Sequence, residues 1–432
     1  MIFPFDGEQN NPAVWGLKLS KVACKLWLTC LLLAITGSTG AQTGGPYKVV
    51  AKDLTGNGRL DLALAYHAIG LVTVEQGDGH GHFRRLAVNP FETSQAPDER
   101  HAHNLALEDI DGDGLADLLV AIGGLSKTVP GVHVVARNLG GGKFAEMARF
   151  TVPSQAKGVR LADLDNDGHI DLLYTARGSG YEGDLKRGRL YLRQGHGDFT
   201  FGPVRQCDAG PSAYYIETAD LNNDGFLDIL VPNEHAPTVH YVISPGEYIF
   251  ERSTPLVVQA VQASKIPGYR GHCVNDVRAT DLNSDGNLDL VTANLGTNTI
   301  SIFLGNGDGT FQTDRLLEGG EFCAFLATGD LDHDGDQDLV VTNWTKRDVT
   351  SVLINRGEAD FFPRKEYQTA LGNYGVAIAD VDLDGHLDII TANYQDRSLS
   401  VLRGTGDGTF HPAATQPKGL TRKADRWVAE SD

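Results

Sequence analysis

Positive charge is scarce in this chain of 432 residues: 37 Lys and Arg stand against 56 Asp and Glu, so the net charge is 37 − 56 = −19. Binding to a phosphate backbone or an anionic membrane surface needs clustered Lys and Arg, so nucleic acid is excluded as the main partner. Long apolar runs are missing as well. The longest, Leu26 to Ile35, falls short of the roughly 20 residues that span a bilayer, so no transmembrane anchor is expected. Helical periodicity is essentially absent. Only two Met and four Trp occur, with Trp15 and Trp27 near the N-terminus. Glycine, in contrast, is abundant at 51 residues, and 41% of the chain is hydrophobic, which is enough for a core. The balance points to many short strands joined by glycine turns.

The N-terminus reads as an export signal. Lys18, Lys21 and Lys25 precede the apolar run, and the small residues Thr36 to Ala41 follow it. The alternative is a buried N-terminal helix. Residues 1–41 are therefore assigned to a signal peptide, which predicts a secreted, periplasmic or cell-surface protein. Cys24 and Cys30 leave with the signal, and Cys207, Cys273 and Cys323 remain. Three is odd, and their spacing fits no metal motif, so they are expected as small buried residues with at most one disulfide.

Internal repetition organises residues 42–417. The segment D-x-[DNT]-x-[DN]-G-x-x-D recurs with first residues Asp53, Asp109, Asp163, Asp220, Asp281, Asp330 and Asp380, spaced 56, 54, 57, 61, 49 and 50 residues apart. Strand-like runs such as Leu290 to Ala293 and Ile389 to Ala392 follow the loops. Further on come glycine turns that end in Phe, such as Gly305 to Phe311. A four-stranded unit of this length has two apolar faces and can bury neither alone, and a closed ring of units buries both. The fold class expected is therefore all-β: a seven-bladed β-propeller of four-stranded antiparallel blades. The mixed-charge tail, residues 418–432, reads as a segment able to lack order.

The loops have the spacing of a cation cradle. Position three is held by Thr55, Asp111, Asp165, Asn222, Asn283, Asp332 and Asp382, and position five by Asn57, Asp113, Asp167, Asp224, Asp285, Asp334 and Asp384. Position six is always Gly, which permits a sharp turn. Position seven (Arg59, Leu115, His169, Phe226, Asn287, Asp336 and His386) offers its backbone carbonyl. Asp61, Asp117, Asp171, Asp228, Asp289, Asp338 and Asp388 complete the shell at position nine, where an EF-hand loop waits for Glu at twelve. Every ligand is a hard oxygen, so Ca²⁺ is expected, up to seven ions in a structural role. Seven ions would take the charge from −19 to −19 + 14 = −5. Without them, each carboxylate pair repels by on the order of a few kcal/mol at an effective dielectric of about 20. The alternative is an Asp/Gly turn without an ion, strongest for the first loop, where Thr55 and Asn57 replace two carboxylates.

Seven such loops at this period resemble the FG-GAP/VCBS repeats of bacterial surface and secreted proteins and are similar to the calcium-bearing propeller of integrin α subunits. The resemblance covers residues from about 47 to 415. It implies calcium in the hairpin between the first two strands of each blade. The FG…GAP pairing itself is poorly kept, with Phe201-Gly202-Pro203 as a fragment. Some fungal lectins and polysaccharide lyases also resemble this repeat, so it leaves the function open.

Calcium hairpins occupy one face of such a ring, and partners are expected on the other. His101, His103, Tyr214, Tyr215, Tyr269, Arg270, His272, Trp344, Tyr374 and Tyr394 are assigned there, with Asn233, Asn294, Asn343 and Asn393 at matching repeat positions. Rings and amides suit sugar or peptide recognition. The alternative is that the Asn residues hold strand ends and the rings pack the channel wall. His101 and His103 form an H-x-H with no third ligand in view. No Gly-x-Ser-x-Gly elbow and no phosphate loop occurs. The reading is a monomeric, non-catalytic calcium-binding module for a protein or glycan. A polysaccharide lyase or hydrolase with its site in the channel is the alternative.

Overall fold

The computed structural model describes residues 43–67, 70–90, 101–123, 130–178, 187–246, 253–258, 273–344, 348–417, 420–423 and 426–429. The expected signal peptide lies outside the described residues. Among those residues every regular element is a strand, and no helix is long and apolar enough to cross a membrane.

Twenty-eight strands form seven antiparallel sheets of four, each in sequence order. The first blade runs Pro46–Lys52, Asp61–Tyr66, Leu71–Gly77 and Phe83–Pro90, and the seventh runs Asn373–Ala379, Asp388–Asn393, Ser398–Leu402 and Ala414–Pro417. First strands of neighbouring blades touch and surround the axis. Second strands such as Asp61–Tyr66, Asp338–Asn343 and Asp388–Asn393 are buried at every residue, as expected of a strand covered on both faces. The core divides into seven apolar clusters, one at each interface between blades. The glycine-turn Phe residues join these layers: Phe410 meets Tyr367 of the preceding blade edge-on at 5.3 Å.

The ring closes by packing. Leu62, Leu64 and Tyr66 of the first blade share a cluster with Ile390, Leu399 and Val401 of the seventh, and among the described residues no blade borrows a strand from the other end of the chain. The tail beyond Pro417, expected as able to lack order, instead supplies strands Leu420–Lys423 and Arg426–Ala429. They form a separate three-stranded sheet with Thr43–Gly44. Backbone pairing to the first described residues supplies the order that composition did not suggest. Cys207, Cys273 and Cys323 are buried free thiols.

Candidate functional site

Each Asp-rich loop joins the first strand of a blade to the second, and all seven have one backbone geometry. The ninth-position Asp opens the second strand and is fully buried in every blade. One of its oxygens accepts the amide of position two at 2.7–3.1 Å. The other accepts an amide at the end of the third strand at 2.6–3.1 Å. This residue therefore clamps the loop to its own blade before any ion is considered. Position one accepts the amide of the glycine at position six, at 2.7–3.1 Å in all seven loops. Position five accepts the amide of position seven at 2.8–2.9 Å. The loop is thus wound so that acidic oxygens converge.

In four blades the convergence brings three carboxylates together. Asp109/Asp111/Asp117, Asp163/Asp165/Asp171, Asp330/Asp332/Asp338 and Asp380/Asp382/Asp388 each place one oxygen within 4.8 Å of the other two. Asp163, Asp330, Asp332 and Asp382 each keep one buried Oδ1 with no hydrogen-bond partner among the described residues. Burial pushes five of the ninth-position acids up, against the pull of their two backbone amides and with some help from neighbouring carboxylates: Asp171 and Asp338 to about 7, and Asp117, Asp228 and Asp388 to about 6. Orphaned, crowded hard oxygens with raised proton affinity fit a divalent cation, and these groups can hold one.

The loops are not equal. In the second blade the Arg137 guanidinium pairs with Asp111 and Asp113 at 2.9 and 3.0 Å. In the third, the Gln194 amide reaches Asp165 at 2.8 Å, and in the seventh Arg403 stands 3.7 Å from Asp382. The same repeat position in the sixth blade is Ile354, which carries no charge, and Asp330, Asp332, Asp334, Asp336 and Asp338 crowd that loop. In the fourth and fifth blades the amides of Asn222 and Asn283 hydrogen-bond Asp224 and Asp285, so those loops satisfy themselves in part. The sequence pattern alone missed these covering residues.

A second constellation lies where the first strands begin, opposite the loops. The side chains come from two repeat positions. Six residues before each first Asp stand Tyr47, His103, Lys157, Tyr214, Asn275, Ala324 and Tyr374. Fourteen residues after it stand His67, Gly123, Arg177, Glu234, Leu295, Trp344 and Tyr394. In six blades the register of the first strand shifts at the earlier position, for example between Pro46 and Lys48 and between Ala102 and Asn104. A bulge of this kind re-aims a side chain, here towards the axis. Tyr47 stacks on Tyr374 at 4.0 Å and on His67 at 4.7 Å. His103 meets His67 edge-on at 4.5 Å, and Tyr394 stands edge-on to both Tyr47 and His67 at 5.8 Å. The Tyr214 hydroxyl lies 3.4 Å from that of Tyr47 and 3.3 Å from that of Tyr374. Arg177, ion-paired with Glu234, covers the Tyr214 ring at 4.4 Å.

Electrostatics mark this cluster. Burial, then the Arg177 charge, lowers the Lys157 ammonium to about 7. Burial alone would raise the Tyr214 phenol, but Lys157, Arg177 and the two neighbouring hydroxyls outweigh it and bring it down. Further along the channel, Lys48 sits over the Tyr215 and Phe325 rings at 5.9 and 5.7 Å. Arg278 bridges Asp276 at 3.0 Å and Glu217 at 3.2 Å there, and Arg160 reaches Glu217 at 2.9 Å.

Of the eight leading residues expected on the partner face, His103, Tyr215, Trp344, Tyr374 and Tyr394 gather at this axis. The His101 side chain, Arg270 and His272 lie outside the described residues, as does Tyr269. His103, Tyr214, Tyr215 and Tyr374 are buried by one another, so they form a plug and present little open surface. The four matching Asn residues are buried and hold backbone or hydroxyl partners: Asn233 donates to the Ala209 carbonyl, Asn343 to that of Gly319, and Asn294 and Asn393 to Ser301 and Ser400. Strand-end support accounts for them. The missed members are Tyr47, His67, Lys157, Arg177 and Glu234. Aligning the repeats and reading those two columns would have found them.

Residues 53–120, 109–174, 175–231 and 281–341 match the FG-GAP-like repeat. None of the curated proteins matches. A lectin from Agrocybe aegerita that recognises non-reducing terminal N-acetylglucosamine superposes with a TM-score of 0.53 at 19% identity, over 85% of this chain and 93% of the lectin. BBS1N in complex with ARL6DN superposes at 0.50 with 12% identity, over 86% of this chain and 92% of BBS1N. A Lactobacillus plantarum protein does so at 0.50 with 15% identity, over 71% of this chain and 90% of its own. At such identities the likeness shows the fold alone.

Proposed function

This chain belongs to the FG-GAP-like repeat family, and from that premise we propose that it is a secreted or cell-surface binding module, stabilised by Ca²⁺, that recognises a protein or glycan at the mouth of its axis. One observation carries the reading. Two repeat positions from all seven blades surround the axis, with Tyr47, Lys157, Trp344 and Tyr394 partly exposed over the buried plug, yet their side chains differ from blade to blade: phenol, imidazole, ammonium, guanidinium, carboxylate, amide. A position needed only for the fold repeats its chemistry, as the ninth-position Asp does. A position that converges and varies builds an asymmetric surface, as recognition of one ligand needs. The lectin and the BBS1N complex are both binding propellers of this shape, which favours the same class of role.

Calcium would be held by the side chains at positions one, three, five and nine with the carbonyl of position seven, and its chemistry there is charge neutralisation. Affinities of about 10⁻⁴–10⁻³ M are usual for extracellular modules and match an exported protein. The test is a glycan array read with and without calcium, beside the variants Lys157→Met and Tyr394→Ala. A ligand retained by the parent and lost by both variants supports the reading. Binding indifferent to both variants contradicts it.

A second reading is favoured by the same cluster. A lysine near 7 beside a phenol brought down from its usual value suits proton transfer, as a lyase acting on acidic polysaccharide requires. Incubation with uronate polysaccharides, followed by the absorbance of unsaturated products, separates this reading from simple binding.

A further inference from the structure

Each Asp loop also reaches across an interface, always to the blade that follows it. The apolar residue at position two of each loop (Leu54, Ile110, Leu164, Leu221, Leu282, Leu331 and Val381) is buried in the interface with the following blade. For Leu54, Leu221, Leu282, Leu331 and Val381 the carbonyl is taken by that blade's third strand end or outer turn. Gly309 N–H donates to Leu221 at 3.2 Å, Ala359 to Leu282 at 3.0 Å, Gly408 to Leu331 at 3.1 Å and Gly81 to Val381 at 3.2 Å, and the Asn138 amide donates to Leu54 at 3.0 Å.

The fourth position reaches further, into the cation-holding stretch of the next loop. The Asn166 side-chain amide donates to the carbonyl of Gly225 at 2.8 Å. That of Asn223 donates to Asn287 at 3.1 Å. The Ser284 hydroxyl donates to Asp336 at 3.0 Å, and the ring nitrogens of His333 and His386 share a hydrogen bond at 2.9 Å. The receiving residues are at positions six and seven, and position seven is the one expected from the spacing to offer its carbonyl to the ion. Each donating residue sits between positions three and five of its own loop. Gly56 and Gly112 stand at this position in the first two loops and have no side chain to reach with.

Resting on the calcium reading above, we propose that the loops of blades three to seven form one coupled belt, in which a cation ordering one loop prepares its neighbour, while the loops of blades one and two bind independently. The physical basis is linkage. A link that is stronger when both loops are ordered must raise the affinity of each for its ion when the other is filled, and by the same factor. One hydrogen bond per link corresponds to roughly two- to tenfold. The arrangement also explains why position four is polar in blades three to six (Asn166, Asn223, Ser284, His333), each matched to a different partner across the interface, while the apolar Leu383 ends the belt at blade seven.

The test is calcium titration of the whole protein by calorimetry, with Ser284→Gly and Asn223→Gly as cutting variants. Glycine tolerates the left-handed backbone at these positions, φ +57° and +58°, and already occupies them in the first two loops, so the fold is retained. The parent should bind several ions with an isotherm steeper than independent sites. Each cutting variant should bind the same number with a shallower isotherm and midpoints raised roughly two- to tenfold. Asp111→Asn, in an unlinked loop, should weaken or remove one ion and leave the steepness alone. If calcium binds but the cutting variants reproduce the parent isotherm, the belt is wrong and the calcium reading stands. If no calcium binds at millimolar concentration, the calcium reading falls and takes the belt with it.

Discussion

At the scale of single residues, the sixth-position glycines separate conformation from space. A Cβ added at Gly335 would meet nothing within 4 Å, yet φ is +95° there. Leu383, a non-glycine residue at position four, sits at φ +63°, inside the left-handed basin, whereas the sixth position lies beyond it. Gly335→Ala should therefore destabilise by about 1 kcal/mol through backbone strain alone, measured by urea denaturation in excess calcium. A second residue-scale expectation concerns His133, buried in the second blade against the edge of Tyr174 at 5.0 Å. Burial lowers its pKa from 6.5 to about 3, so the folded state holds it neutral. Its contribution is complete above pH 6.5 and is lost as pH falls towards 3, because the unfolded chain takes up the proton first. His133→Leu should flatten the fall of melting temperature between pH 6.5 and 4 relative to the parent.

At the scale of the loop and its blade, two aspartates of one motif have different tasks. Asp338 accepts the amides of Leu331 and Asn355 at 2.7 Å each and is fully buried. Asp334 is exposed and accepts one amide within the loop. Asp338→Ala should cost about 2–4 kcal/mol even in a chelator, since two buried amides lose their acceptor. Asp334→Ala should cost little in a chelator and lower calcium affinity instead. Denaturation in both conditions checks the pair. The loops were legible in sequence because their geometry is local: Asx turns, a positive-φ glycine and the strand-opening Asp are all set within nine residues. The covering residues Arg137, Gln194 and Arg403 were not legible, because they lie at the far end of the third strand and reach the loop only once the blade is folded. Strands Leu420–Lys423 and Arg426–Ala429 escaped for a similar reason, since their order comes from pairing with the other end of the chain.

At the scale of the whole molecule, the blade number was legible from the period, and ring closure was not, because it rests on apolar packing between the ends. The axial cluster was legible only in part. Tyr374 and Tyr394 announce themselves as exposed-looking aromatics, whereas Lys157 and Arg177 acquire meaning from Tyr214 of the next blade. Charge governs the behaviour of the ring as a unit. For acids such as Asp171 and Asp338, raised from 3.8 to about 7, the proton-linked part of their stabilisation is full below 3.8 and is lost as pH rises through 7, while the accepted amides remain. On the proposed calcium reading a cation replaces the proton at neutral pH, each occupied site contributing about 2 kcal/mol at calcium concentrations some tenfold to a hundredfold above its dissociation constant. The most direct test is the melting temperature in 10 mM calcium and in EGTA, compared at pH 5 and at pH 7.5. The account predicts a higher melting temperature with calcium, by on the order of 10 °C at the higher pH and by less at the lower. Superimposable melting curves at pH 7.5 would contradict it.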